Sequence, residues 1–144
     1  MARPGTADRG SVLMLMPAAV LVVLVLGAIA VDLSLVHLAR RELVVAAGAA
    51  ANDAVTYGLD EDAWRRGEGY SLDPTRVDDA VNRSLAARGL LPRLVTPPVV
   101  RATGPDEVTV ELAEPVDYLF AKALPGGPHR TVVRATATAT VARR

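Results

Sequence analysis

The chain has 144 residues, its 16 basic and 16 acidic side chains balance, and it contains no cysteine. The balanced charge excludes a basic field of the kind that attracts nucleic acid, and the missing cysteine excludes disulfides and thiolate metal sites. Without its N-terminal apolar run the chain keeps about 110 residues, enough for one small domain.

The apolar run covers residues 11–31 and contains no charged side chain. At about 1.5 Å per helical residue it matches a hydrocarbon core about 30 Å thick, so the sequence predicts a transmembrane helix. Ala28 and Ala30 also fit a small-x-small cleavage site, and a cleaved secretory signal is the alternative. A typical signal core has only about 7 to 15 residues, so the longer run favours a retained signal anchor.

The charges that flank the run indicate its orientation. Arg3 and Arg9 precede it, whereas Asp32 follows it. Because basic residues stay on the cytoplasmic side, residues 1–10 are predicted to be cytoplasmic and the chain after Asp32 extracytoplasmic. The pair Arg40 and Arg41 argues mildly for the opposite orientation.

Residues 32–58 continue the helical pattern as a stalk that ends near Gly58. Small and apolar residues recur at three- and four-residue steps along one face: Val36, Ala39, Leu43, Ala47, Ala50 and Ala54. Such a face allows another helix to approach closely, or it packs on the chain's own domain, and the pattern leaves both alternatives open.

Asp32 lies where the apolar run ends. Its carboxylate either marks the hydrated interface or meets a cation on a neighbouring helix, with Arg40 and Arg41 of another chain as candidate partners. The residues predicted to serve helix packing and assembly are therefore Asp32, Ala39, Arg40, Leu43, Ala47, Ala50 and Ala54.

Residues 59–144 are predicted to form an extracytoplasmic α+β head. A polar, irregular segment to about residue 71 precedes a helix that Asp73 can cap, with Pro74 in its first position and Gly89 at its end. The predicted head thus begins with an irregular segment, and its first helix is short and clearly delimited.

Three strands are predicted to follow. Residues 99–102 and 107–113 read as a hairpin, residues 115–124 as a second short helix, and residues 130–141 as the third strand. A right-handed helical crossover would make the third strand parallel to the second, which favours the order second, first, third. The predicted head is a three-stranded antiparallel sheet with two short helices, and the fold class is α+β.

Four N-terminal stretches together resemble one family. They are Arg9-Gly10-Ser11, Ala30-Val31-Asp32-Leu33, Leu38-Ala39-Arg40-Arg41-Glu42-Leu43 and the alanine-rich residues 46–54. Over about residues 9–55 the chain resembles the TadE/TadG-like proteins of the tight-adherence, or Flp, pilus assembly system. The resemblance implies a non-enzymatic, membrane-anchored protein similar to a minor pilin or pseudopilin.

The same resemblance bears on N-terminal processing. Prepilin-like members carry a glycine at the cleavage site, which Gly10 before Ser11 matches, and a glutamate five residues into the mature chain, where this sequence has Leu15. Gly10 and Ser11 are therefore the candidate processing site, and Leu15 favours the uncleaved, TadG-like form.

No motif in the sequence indicates catalysis. His37 and His129 are far apart, no serine or carboxylate is spaced with either as nucleophile and base, and no phosphate-binding loop is present. We predict no catalytic, cofactor or metal residue and no small-molecule substrate. The predicted partners are the membrane and other pilus or secretion subunits; the alternative is a bitopic envelope protein whose head binds a ligand or partner independently of a pilus.

Overall fold

The long first helix leads into a small head of helices and one sheet. The structure is a computed structural model that describes residues 7–67, 69 and 71–141, with side chains from residue 15 onward within those ranges. The helices are α1 (Ala7–Tyr57), α2 (Glu61–Arg65) and α3 (Pro74–Ala87), the strands are β1 (Val99–Ala102), β2 (Glu107–Asp117) and β3 (Arg130–Thr140), and 3₁₀ turns lie at Leu91–Arg93 and Ala121–Ala123. The predicted α+β class is confirmed. Arg3, on which part of the orientation argument rests, lies outside the described residues.

Helix α1 runs without interruption for 51 residues, a length of about 75 Å. It ends before Gly58, whose amide donates to the carbonyl oxygen of Ala54 at 2.8 Å. A side chain at Gly58 would collide with that oxygen and with Val77 of α3. Glycine is thus needed where α1 and α3 meet, and the predicted stop at Gly58 is confirmed.

Helix α3 begins and ends as its sequence predicts. Asp73 accepts a hydrogen bond from the amide of Thr75 at 2.8 Å, and Pro74 occupies the first turn, where its missing N–H costs nothing. Gly89 follows the helix with a φ of 66°, a left-handed conformation that favours glycine. The apolar residues at four-residue spacing, Val77, Val81 and Leu85, are buried.

The sheet is an antiparallel meander in the order β1-β2-β3. In β2, Val108, Val110 and Leu112 are buried while the intervening Thr109 and Glu111 are less so, which confirms the predicted alternation. Helix α1 lies against β2 and β3, and α3 packs against α1. The buried half of α1 is therefore a part of the head's core.

Two predictions for residues after 113 are wrong. Strand β2 continues to Asp117, so no helix begins at Pro115, and the 3₁₀ turn Ala121–Ala123 is the helical part of the connection 118–129. The chain then returns as β3, which pairs with the second strand and not with the first. Pro115 is tolerated because β1 pairs only with residues 108–111 of β2. At Pro115, β2 pairs with β3 alone among the described strands, so the missing N–H of Pro115 removes no hydrogen bond to β1.

The segment after α1 also holds a short helix where the sequence predicts irregular structure. Asp60 accepts hydrogen bonds from the amides of Asp62 and Ala63 at 2.9 and 3.0 Å and so begins α2. The bond from Ala63 holds the pKa of Asp60 below its ordinary value. Asp60 is therefore the N-terminal cap of α2.

Candidate functional site: the α1 surface and the Asp32 junction

The first part of α1 exposes apolar side chains on every side. Its large apolar residues from Leu15 to Val31 are 42–69% exposed. Among the described residues, α1 is the one helix long and apolar enough to cross a membrane. An apolar surface of this extent, uncovered by the chain's own head, needs another apolar environment. A lipid bilayer is an apolar environment whose thickness fits the length of this segment, which supports membrane anchoring through it.

Asp32, directly after the apolar run, is buried beneath the connection between β2 and β3. Its Oδ1 accepts hydrogen bonds from the amides of Leu119 and Phe120 at 2.7 and 3.0 Å, and its Oδ2 accepts from the amide of Ala121 at 2.7 Å. Consecutive backbone N–H groups that converge on one carboxylate favour its charged form and form an anion-binding nest. Asp32 is only 6% exposed, so these bonds replace water as its solvation.

This contact fixes the head to α1 at the point where the apolar run ends. The partner of Asp32 in the structure is thus its own chain, through a loop 87 to 89 residues later in the sequence. Arg40 and Arg41 are exposed on α1. Their pairing with Asp32 of a neighbouring chain stays a prediction.

The small-residue face of the stalk faces the head. Leu43, Ala47, Ala50 and Ala54 are each fully buried and belong to the core cluster, and Ala39 is half-buried against it. The structure thus has the packing of the second alternative, in which this face serves the chain's own domain. A contact between this face and another chain stays a prediction, and it would require the head to move away from α1.

A different face of α1 remains exposed in the stalk, after the apolar run. Leu35, Leu38 and Val45 are 39%, 63% and 58% exposed, and Val31 lies one turn before them at 42%. The steps of four, three and seven residues keep these side chains on one flank of the helix. We call this set the exposed stripe. It is continuous with the apolar run and borders the face that the head covers, since Leu38 and Val45 line a groove together with Arg88 and Leu90 of the head.

The geometry therefore concentrates the unpartnered apolar surface on α1. Residues 10–56 match the Tad family model, Flp pilus-assembly TadE/G-like. The match ends one residue before α1 does, so this Tad segment comprises the apolar run and the stalk and leaves the rest of the head outside. No curated protein and no solved structure is significantly similar to the chain. The TadE/TadG-like resemblance is confirmed, and with the membrane helix it supports a pilus-associated membrane component.

Gly10 and Ser11, the candidate processing site, open the Tad segment. Both lie in the helical backbone near the beginning of α1. The side chain of Ser11 lies outside the described part of the chain, so the processing prediction stays a prediction.

An arginine bridge ties the Tad segment to the sheet. Arg93 donates to Oε1 of Glu42 on α1 at 3.0 Å and to Oε1 of Glu114 on β2 at 2.8 Å. The hydrogen bonds to Glu42 and Glu114 raise the pKa of Arg93, against a smaller opposing effect of burial. Glu114 is 4% exposed, and loss of its cation would leave a buried charge unpaired, which is strongly destabilising.

Sequence reasoning missed both polar contacts of the Tad segment, although each had a signal. Asp32 lies 11 residues before Leu43, about three helical turns, so it shares the face that the head covers. Glu114 occupies the next inward position of β2 after Leu112, where a charge needs a partner. Neither signal identifies the partner group, because the loop amides that bind Asp32 and the Arg93 side chain that binds Glu114 are remote in sequence.

The described residues contain no group of three or more His, Cys, Asp or Glu side chains arranged to hold a metal ion. The buried polar side chains of the described chain are Asp32 and Glu114, and each binds a group of the fold itself. These two side chains attach the head to α1, and the exposed stripe of α1 is left for other contacts.

Proposed function

We propose that this protein is a membrane-anchored, non-enzymatic component of a Tad/Flp-type pilus or secretion apparatus, acting as a minor pilin-like subunit or as an assembly factor. Residues 1–10 are cytoplasmic, residues 11–31 span the membrane, residues 32–58 form the stalk, and residues 59–144 form the extracytoplasmic head. The observation that carries the proposal is the coincidence of the Tad segment with α1, whose exposed stripe continues from the membrane span into the stalk.

The exposed stripe is the proposed contact with helices of other subunits. A helix packed along Val31, Leu35, Leu38 and Val45 would cover apolar side chains that water otherwise surrounds beyond the apolar run. The heptad-like spacing allows side chains of a second helix to interdigitate with them. Glu42 shares this flank, and its pairing with Arg93, which also binds Glu114, offsets part of its charge.

Cross-linking at two adjacent valines tests this contact. The chain has no cysteine, so Val45→Cys and Val44→Cys each supply a single thiol. The two side chains are 58% and 46% exposed and point about 100° apart on the helix. In membranes that contain the complete pilus apparatus, we expect Val45→Cys to cross-link to itself or to pilus components and Val44→Cys to do so much less. Equal cross-linking, or none at either position, would contradict a contact through the exposed stripe and favour the bitopic alternative.

A reporter fused after Arg144 tests the topology. From the flanking charges we expect activity only outside the cytoplasm, with the fusion in the membrane fraction. A soluble product that begins at Val31 would show instead that the sequence before it is a cleaved signal.

N-terminal sequencing of the membrane form tests processing. We expect the Gly10-Ser11 bond to remain intact or to be cut poorly, since Leu15 stands where prepilin-like relatives have glutamate. A mature chain that begins quantitatively at Ser11 would place the protein with the cleaved, pilin-like members.

A further inference from the structure

The connection between β2 and β3, residues 118–129, exposes apolar side chains beside the membrane span. Leu119, Phe120 and Leu124 are 50%, 44% and 65% exposed. Phe120 and Leu124 line a shallow apolar groove whose opposite wall is α1 between Leu24 and Asp32. Leu24 lies eight residues before Asp32, about 12 Å along the helix axis, so the loop reaches down beside the apolar run.

Asp32 fixes the depth of this loop. The carboxylate holds the amides of Leu119, Phe120 and Ala121, so the loop cannot slide along α1 without leaving the charge unpaired. If residues 11–31 cross the bilayer, the groove lies at the level of the acyl chains nearest the head. In that case the part of the loop beside α1 lies within the bilayer.

The backbone of the loop suits that environment. Irregular backbone in lipid is costly because its N–H and C=O groups lose water, and hydrogen bonds within the chain reduce that cost for most amides of this loop. The donors are Tyr118 to the carbonyl of His129, Leu119, Phe120 and Ala121 to Asp32, Ala123 to Phe120, Leu124 to Ala121 and Gly127 to Leu124. Pro125 and Pro128 have no N–H to satisfy.

We propose that the tip of this loop inserts into the lipid leaflet on the head's side of the membrane, with Phe120 and Leu124 among the acyl chains. Lys122 is exposed and directly follows Ala121, whose amide binds Asp32 at the end of the apolar run, so its ammonium can reach the headgroup level, where phosphate groups lie. The partner is the phospholipid bilayer, and the inference rests on membrane anchoring through α1. The protein thus contacts the membrane at two points of its sequence.

Depth-dependent fluorescence quenching tests the proposal on the full-length protein in phospholipid vesicles. Single cysteines replace Leu124 in the loop, Leu21 in the span and Tyr57 at the far end of α1, residues that are 65%, 62% and 63% exposed. Each thiol carries a polarity-sensitive fluorophore, and the vesicles contain lipids with a nitroxide on the acyl chain. Protease resistance of the head confirms that each labelled protein is folded, and Leu119→Cys repeats the measurement if Leu124→Cys is not.

We expect the fluorophore at Leu124→Cys to show a blue shift and a loss of emission comparable with those at Leu21→Cys, and neither change at Tyr57→Cys. Quenching at Leu21→Cys with none at Leu124→Cys would overturn the loop insertion and leave the anchor intact. No quenching at Leu21→Cys would overturn the membrane span and the loop insertion together. A blue shift at labelled Leu124→Cys without nitroxide quenching, together with disulfide-linked dimers of the same variant left unlabelled, would replace lipid by a second copy of the chain as the occupant.

Discussion

Truncation of Leu43 tests whether the stalk part of α1 is core of the head. Leu43 is fully buried among residues of α1 and the sheet. Leu43→Ala removes three buried carbon atoms, which at about 0.8 kcal/mol each is about 2.4 kcal/mol of transfer free energy. The cavity that remains adds to this loss, so we expect unfolding to become easier by about 3 kcal/mol. For a domain of this size, that lowers the midpoint of thermal unfolding by about 12 to 24 °C.

The measurement is thermal unfolding of the full-length protein in detergent micelles, followed by the appearance of protease-sensitive head. Leu38→Ala is the matched control, since it makes the same change five residues earlier on the same helix at a side chain that is 63% exposed. Its expected effect is below about 0.5 kcal/mol. Similar midpoints for the two variants would refute the reasoning, because the head would then fold without the stalk.

Three further predictions concern the same junctions. Ala50→Leu overfills a fully buried position and should lower the stability of the head by about 1 to 3 kcal/mol, which reduces its protease resistance. The control Asn52→Leu, on the exposed side of α1, should leave the protease resistance unchanged. A fully folded Ala50→Leu head with impaired pilus assembly would instead support the predicted interchain role of Ala50. Gly58→Ala places a methyl group against a carbonyl oxygen of α1 and a side chain of α3, and the urea midpoint of the head should fall; an unchanged midpoint would mean that this close approach relaxes freely. Asp73→Ala removes the cap of α3 and should lower stability in the same urea assay by about 0.5 to 2 kcal/mol, and an effect near zero would show that the cap bond contributes little.

The elements that the sequence predicts well are those with local signals. The apolar run and the stalk make one helix, Asp73 and Gly89 bound α3, and the alternation in β2 identifies its buried face. Each signal lies within a few residues of the feature it predicts. Such signals depend on backbone geometry and capping, which act over one or two turns.

The features that sequence reasoning missed depend on contacts between remote segments. Pro115 suggested a helix start, and only the limited length of β1 shows why a proline is acceptable at that point of β2. The periodicity of the stalk gave the correct face, but the same small side chains suit a neighbouring helix or the chain's own sheet. The carboxylate of Asp32 likewise accepts any suitable donor, and its amide partners become visible only once the loop is in place.

The unbroken course of α1 has a mechanical consequence. Because the helix passes from the apolar run into the core of the head, and Asp32 holds the loop at the exit point, tilt or rotation of the anchor is transmitted to the head. A pull on the anchor would load the packed core itself and not a flexible linker. The tilt and rotation of the anchor would then set the direction in which the head faces outside the bilayer.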